Sequence, residues 1–250
     1  MSGSVVALVL AAGQGTRLGQ GPKAALELGG RPLASWSLET LGACAAVDRV
    51  VVVGDEAMLA PALASLSQAA RGKVAGVVAG GASREESCAL GLSAAGDDAA
   101  IVLVHDAARP FASDALFTAV AAAADRTGAA LAAVPLTDTL KRGDAAGRVA
   151  TTIPRTGLWR AQTPQGARAD LLRRAHAEAA LVRGADPATR TAAEDGAIGT
   201  DDVALVERLG ADVEIVPGEA WNLKITTAED LAWAEAWLGA RATAPREGGR

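Results

Sequence analysis

The sequence predicts an α/β fold: a mostly parallel, Rossmann-like sheet with helices on both faces, plus one extended β-hairpin arm. Three observations carry this reading. Short apolar, mostly β-branched runs alternate with longer amphipathic segments along most of the chain, which is the rhythm of βαβ units. The first apolar run leads straight into a glycine-rich loop holding one arginine and one lysine, and parallel sheets bind ligands on loops at the carboxyl ends of their strands. The alternation fails after Pro135, where charged residues and glycines separate two short β-prone pieces.

Each element follows in order. Val5–Leu10 is apolar throughout and reads as a buried first strand. Pro32–Leu41 reads as a helix, Arg49–Val53 as a valine-rich strand, and Glu56–Ala70 as one long helix. Val74–Val78, Ser83–Ala94, Ile101–Val104, Asp114–Thr127 and Ala130–Pro135 continue as strand, helix, strand, helix and strand. Residues 137–156 contain Lys141, Arg142, Gly143, Asp144, Gly147 and Arg148. They read as a hairpin arm with too few apolar side chains to bury itself, so it is expected to pack on a second subunit. Asp170–Val182 is a helix, and residues 183–199, rich in Ala, Gly, Asp and Thr, read as a loosely ordered loop. Asp201–Leu209, Val213–Val216 and Thr227–Leu238 complete the pattern as helix, strand and helix. Thr226 and Glu229 have the three-residue spacing of a capping box at the start of the last helix. The expected organisation is one domain over residues 1–240 and a flexible polar tail over 241–250.

Composition narrows the function. Half of the 250 residues are apolar, and formal net charge is −5. No basic block offsets the acidic balance, which argues against a nucleic-acid partner. No run reaches the length of a membrane span, and no basic residue precedes the first apolar run as in a leader segment. A cytoplasmic protein with no membrane partner is expected. Cys44 and Cys88 lack metal-ligand spacing and read as small buried thiols.

The loop after the first strand spells LAAGQGTRLGQGPK over residues 10–23. It fails the P-loop pattern, because Ala24 follows Lys23 where Ser or Thr is needed. It fails the dinucleotide fingerprint, because Leu18 stands in the place of the third glycine. What remains is a loop whose glycines free backbone N–H groups to face an anion. Arg17 supplies a planar fork for phosphate oxygens and Lys23 a compact point charge. Farther on, Ile101–Val104 opens into His105-Asp106-Ala107-Ala108-Arg109-Pro110-Phe111. A carboxylate at such a strand end suits Mg²⁺, which is held by one or two carboxylates together with phosphate oxygens. Arg109 is placed to meet a second anion, or to pair with Asp106 across a tight turn. His105 reads as structural, since no nucleophile motif accompanies it.

The long pattern LAAGxGxRLGxxPKxxLxLxGRPL over residues 10–33 resembles the opening signature of nucleotidyltransferases that make sugar and polyol nucleotides. HDAARPF at 105–111, DTLKR at 138–142 and RTGLWRAQTPQGAR at 155–168 narrow the likeness. Together they resemble the 2-C-methyl-D-erythritol 4-phosphate cytidylyltransferases of the non-mevalonate isoprenoid pathway. The likeness runs in order from about residue 5 to 239. With the sequence ending soon after the last helix, the downstream cyclase domain fused in some relatives is expected to be missing. A sister family that makes CDP-ribitol shares the first loop and the Thr-Pro-Gln element but differs in the arm motif.

The resemblance implies transfer of a cytidylyl group from CTP to a polyol phosphate with release of pyrophosphate. It implies nucleotide binding by Ala11, Ala12 and Gly13, with Arg17 and Lys23 on the phosphates. Gly80, Gly81, Arg84 and Ser87 match the stretch that reads the pyrimidine, and Ala107 lies against the ribose. Asp106 matches the metal-binding aspartate, implying Mg²⁺ as cofactor. Thr139 and Arg155, reaching over from a partner's arm, together with Arg109 and Thr163, match the acceptor site, and Lys224 matches a lysine near the reacting phosphates. A homodimer built through the 137–156 arm follows. Trp159, Trp221, Trp233 and Trp237 read as packing residues, and Ala24 and Ala25 depart from the bulkier residues common after the lysine.

Overall fold

The computed structural model describes residues 3–13, 26–184 and 201–243. The elements in chain order are β1 (Ser4–Leu10), β2 (Glu27–Leu28), β3 (Arg31–Pro32), α1 (Leu33–Ala43), β4 (Arg49–Val53), α2 (Glu56–Ala64), α3 (Gln68–Lys73) and β5 (Val74–Val78). They continue with α4 (Arg84–Ala94), β6 (Ala99–Asp106), α5 (Asp114–Thr127), β7 (Ala129–Pro135), β8 (Leu140–Gly143) and β9 (Val149–Ile153). The last are β10 (Trp159–Arg168), α6 (Ala169–Gly184), α7 (Asp202–Arg208), β11 (Glu214–Pro217) and α8 (Ala228–Thr243).

Seven strands form the central sheet in the order β11-β7-β10-β6-β1-β4-β5. All pairs are parallel except those of β10, which runs antiparallel between β6 and β7. The period of two along β1 sorts its side chains onto two cores. Val5, Ala7 and Val9 join Leu38 and Leu41 of α1, Leu59 of α2 and Phe117 and Val120 of α5. Val6 and Leu8 join Cys88 and Leu92 of α4, Leu172 and Ala175 of α6 and Leu205 and Val206 of α7. Helices therefore cover both faces, which is why nearly every residue of β1, β4 and β6 is apolar. A smaller core of Leu26, Leu28, Leu33, Ile225 and Ala234 anchors α8.

The chain passes from β1 outward through β4 and β5, then returns to the other side of β1 as β6. The direction of winding reverses between β1 and β6. That reversal leaves a crevice at the carboxyl ends of these two strands, where ligands of open parallel sheets bind.

Four local readings need correction. The expected helix over Glu56–Ala70 is two helices. Ser67 accepts from the Ala70 N–H at 3.2 Å, while its own N–H and hydroxyl donate to the Glu39 carboxylate at 2.6 and 2.8 Å, so it caps a new helix instead of continuing the old one. The segment before α1 holds a small hairpin, β2–β3, turning on Gly29 and Gly30 with φ of 59° and 71°, conformations that favour glycine. Residues 159–168, read only as a motif, form the antiparallel strand β10. The capping box of α8 is Thr227 with Asp230, not Thr226 with Glu229: Asp230 Oδ2 accepts from the N–H groups of Thr226 and Thr227 at 2.7 and 2.9 Å, and the Asp230 N–H donates to Thr227 Oγ1 at 3.2 Å.

The arm is a separate two-stranded sheet, β8 paired antiparallel with β9. Its turn is held locally: Asp144 Oδ1 accepts from the N–H groups of Ala146 and Arg148, each at 2.9 Å. The last helix continues to Thr243; residues 244–250 of the expected tail, and 185–199 of the expected loop, lie outside the described residues. Among the described residues no helix is long and apolar enough to cross a membrane.

Candidate active site

β6 ends on Asp106, inside the strand rather than in the loop after it. Its carboxylate opens onto the β1/β6 crevice and is surrounded by cations. Lys224 Nζ lies 2.7 Å from Oδ2, Arg84 Nε lies 3.3 Å from Oδ1, and Arg109 Nε lies 3.9 Å from Oδ2. Burial alone would raise the Asp106 pKa, but Arg84, Lys224 and Arg109 hold it well below the usual carboxylate range. Asp106 is therefore ionised at any physiological pH.

Each cation is delivered by its own element. Arg84 opens α4, whose first turn is capped by Ser83 accepting from the Glu86 N–H at 3.0 Å. Its Nη1 also reaches Asp202 Oδ2 at 2.7 Å, so one guanidinium bridges two carboxylates. Lys224 sits in the loop before α8, pinned by the Ile225 N–H donating to the Ala108 carbonyl at 2.8 Å. Arg109 also bonds elsewhere: Nη1 donates to the Asn222 carbonyl at 2.8 Å and Nη2 to the Ala161 carbonyl at 3.4 Å. Its pairing with Asp106 across the turn is thus the weakest of the three.

Behind Asp106 runs a buried polar chain whose protons can be placed. His105 Nε2 lies 3.0 Å from the Arg109 carbonyl, which only accepts, so Nε2 carries the proton. Nδ1 is then an acceptor, and the Thr163 hydroxyl at 3.0 Å donates to it. That leaves the Thr163 oxygen free to accept from the Asp106 N–H at 3.1 Å. Burial pushes the His105 pKa down to about 4, consistent with a neutral, structural imidazole. Thr163 lies where the pairing of β10 with β7 is irregular, between Ala161 and Gln165; the Thr163–Pro164 peptide is cis. Asn222, fully buried, ties the same stretch to the Lys224 loop by donating to the Thr163 carbonyl at 2.8 Å and to Gln162 Oε1 at 3.3 Å.

The opposite wall is the main chain after β1 and β5. The Ala11 N–H donates to the Val53 carbonyl at 2.8 Å, and the Ala107 N–H to the Leu10 carbonyl at 3.0 Å. Gly80 passes so close to Ala12 that a Cβ on it would lie 2.3 Å from the Ala12 Cβ. The Gly81 N–H donates to Ser87 Oγ at 3.0 Å, and Ser87 donates onward to the Ser83 carbonyl at 2.8 Å. The charged groups around the crevice are guanidinium and ammonium around one hard carboxylate, which suits a polyphosphate and an oxygen-seeking divalent cation.

A family model described as 2-C-methyl-D-erythritol 4-phosphate cytidylyltransferase matches residues 5–240. The chain belongs to that family. The bifunctional enzyme IspD/IspF of Anaeromyxobacter dehalogenans is 47% identical over 242 residues, covering 94% of this chain and 57% of that protein. The chain spans little more than half the length of the bifunctional relatives it matches. The 2-C-methyl-D-erythritol 4-phosphate cytidylyltransferase of Frankia casuarinae is 44% identical, with 94% of this chain and 81% of that protein covered. The crystal structure of the cytidylyltransferase from Thermus thermophilus superposes with a TM-score of 0.71 at 35% identity, covering 95% of this chain and 98% of that one.

Of the positions matched to the cytidylyltransferase family, Ala11, Ala12, Gly13, Gly81, Ser87, Asp106, Ala107, Arg109, Thr163 and Lys224 lie on the elements that border the crevice. Arg17 and Lys23, with the departures Ala24 and Ala25, lie outside the described residues. Thr139 and Arg155 are exposed on the arm, and among the described residues no hydrogen bond or ion pair joins their side chains to the Asp106 cluster. Trp237 stacks between Trp221 and Trp233 at 6.1 and 5.5 Å between ring centroids. Trp221, Trp233 and Trp159 are nonetheless exposed, at 37%, 40% and 43%, so none of the three is a buried packing residue. Asp202, Gln162 and Asn222 fall within stretches that match the family, but sequence reasoning gave them no role in the site. Gln162 and Asn222 flank two motif residues, Thr163 and Lys224, but nothing in their spacing reveals that they bond each other.

Proposed function

We propose that this protein transfers the cytidylyl group of CTP to 2-C-methyl-D-erythritol 4-phosphate, giving the CDP-linked alcohol and pyrophosphate. It acts in the cytoplasm as a homodimer joined through the 137–156 arm. The observation that carries the reading is the buried, ionised Asp106 among Lys224, Arg84 and Arg109 at the β1/β6 crevice. Family membership supplies the substrates.

An acceptor phosphate monoester, with a second pKa of about 6, is already largely dianionic near neutral pH and is itself the nucleophile. One of its oxygens forms a bond to the α-phosphorus as the bond to the β-phosphate oxygen breaks, and pyrophosphate leaves with that electron pair. No general base is needed, in keeping with a neutral His105 bonded on both nitrogens. The obstacle is repulsion between two polyanions, so the chain's task is to neutralise charge. Lys224 turns toward the phosphates while Arg84, held by Asp202, keeps its charge beside them, Arg17 and Lys23 of the first loop add their charges on the phosphates, and Thr139 and Arg155 of the partner's arm hold the acceptor with Arg109 and Thr163. Asp106 fits Mg²⁺, being a hard carboxylate whose Oδ2 already faces a cation, the Lys224 ammonium. When bound there, Mg²⁺ supplies Lewis-acid neutralisation of the phosphate oxygens.

The test is pyrophosphate release with CTP, Mg²⁺ and a panel of polyol phosphates. Turnover with 2-C-methyl-D-erythritol 4-phosphate well above that with ribitol 5-phosphate is expected, and the reverse order would overturn the acceptor assignment. Mixing inactive Lys23→Ala and Arg155→Ala chains should restore part of the activity, because one composite site per mixed dimer keeps both groups. No rescue after confirmed subunit exchange would refute the shared site.

A further inference from the structure

Three side chains without a role in the chemistry above converge behind the crevice, on the face of the sheet covered by α4, α6 and α7. Cys88 lies one turn after Arg84 on α4, His176 lies midway along α6, and Asp202 opens α7. They come from distant parts of the sequence, which is why Cys88 shows no ligand spacing. All three are buried, at 0%, 5% and 2% exposure. One donor atom from each, the Cys88 sulfur, a His176 ring nitrogen and an Asp202 carboxylate oxygen, all lie within 4.8 Å of one another.

The group is polar, enclosed and incompletely bonded. His176 Nε2 stands 3.6 Å from Asp202 Oδ1, beyond hydrogen-bond length, and neither ring nitrogen has a hydrogen-bond partner. Asp202 Oδ2 is ion-paired with Arg84 Nη1 at 2.7 Å, while Oδ1 faces the imidazole and the Cys88 thiol lies against the same carboxylate. Burying an imidazole with both nitrogens unbonded is costly, and such groups call for an explanation.

We propose that Cys88, His176 and Asp202 form a binding site for a borderline-soft divalent cation of the Zn²⁺ class. Thiolate, imidazole and carboxylate are all Zn²⁺ donors, whereas Mg²⁺ and Ca²⁺ take oxygen ligands. From usual Zn–S, Zn–N and Zn–O lengths, tetrahedral donors stand about 3.4–3.6 Å apart. The 3.6 Å between His176 and Asp202 already matches, and the Cys88 sulfur lies within 4.8 Å of both. Coordination through Oδ1 leaves Oδ2 on Arg84, so the ion and the guanidinium share one carboxylate without competing. The thiol proton is displaced to solvent on binding, and water completes the fourth position. This site is distinct from the Mg²⁺ position at Asp106 in both place and donor chemistry.

The test is Co²⁺ titration of the full, tag-free chain under reducing, anaerobic conditions. One equivalent should produce the d–d bands of a tetrahedral site and a thiolate-to-cobalt charge-transfer band. Zn²⁺ should abolish both and excess Mg²⁺ neither. Cys88→Val, which places an apolar side chain among the apolar neighbours of Cys88, should remove the charge-transfer band. Cys44→Ala, which removes the other buried thiol, should retain it. His176→Gln should weaken Co²⁺ binding at least tenfold. A wild-type chain without a charge-transfer band overturns the proposal whatever the variants do, as does a band that survives Cys88→Val or vanishes in Cys44→Ala.

Discussion

Thr163→Val tests the proton placement behind the site. Valine keeps the shape of threonine but exchanges the hydroxyl for a methyl. Two buried groups then lose their partner: the Asp106 N–H, now 3.1 Å from Thr163 Oγ1, and His105 Nδ1, now 3.0 Å from it. His105 is completely buried and Thr163 is 3% exposed, so water does not substitute. Each orphaned group costs about 1–3 kcal/mol. Removing the hydroxyl's own burial cost offsets part of that, leaving a net loss of about 2–4 kcal/mol. Urea unfolding followed by far-ultraviolet circular dichroism measures it directly, independent of any substrate. Thr163→Ser, which keeps the hydroxyl, should recover most of the loss. A Thr163→Val midpoint equivalent to less than about 0.5 kcal/mol, the scale of ordinary surface changes, would refute the assignment of both bonds.

Three further outcomes are expected. Lys224→Ala should lower turnover by about 10²–10³-fold, the usual cost of losing one preorganised charge donor, with an unchanged circular dichroism spectrum; a near-normal rate in pyrophosphate release would remove Lys224 from the chemistry. Stability should fall between about pH 6.5 and 4, because the unfolded chain protonates His105 near its ordinary value while the buried native imidazole resists down to about 4; that window is worth about 3 kcal/mol, and His105→Gln should lack this share of the slope in urea midpoints measured against pH. Gly80→Ala should force apart the loops after β1 and β5, given a 2.3 Å approach to Ala12, and weaken CTP binding at least tenfold by calorimetry; unchanged affinity would show that this wall does not shape the nucleotide site.

The sheet was legible because burial on both faces leaves a direct imprint: β1, β4 and β6 are apolar at nearly every position. β10 escaped for the opposite reason. Its residues 162–165 are Gln, Thr, Pro and Gln, all buried, and a strand that buries polar groups through specific bonds has no period-two pattern to read. The break at Ser67 was equally hidden, since its capping role depends on Glu39 from a different helix. Asp106 stood out as a carboxylate at the end of an apolar strand, and Lys224 through its match to the family pattern. Asp202 did not, because an acidic residue at the start of a helix is ordinary, and its link to Arg84 is a tertiary contact.

That link divides the labour among the cations. Asp202, Arg84, Asp106 and Lys224 form one chain of alternating charge, with successive separations of 2.7, 3.3 and 2.7 Å. Its ends differ: the Asp202 side chain is 2% exposed and that of Lys224 is 38% exposed. On the proposed function, a triphosphate arriving from solvent would meet the exposed end first. Lys224, on a flexible stem, can leave Asp106 for a phosphate oxygen and so vacate Oδ2. Arg84 keeps its second carboxylate and stays where it is. One cation is thus mobile and the other fixed before the ligand arrives, and fixed charge is what an active site needs if its dipoles are not to reorganise during the reaction. The two contacts should also part company in salt: the exposed Lys224 pair is screened, whereas the pair buried at Asp202 is screened far less.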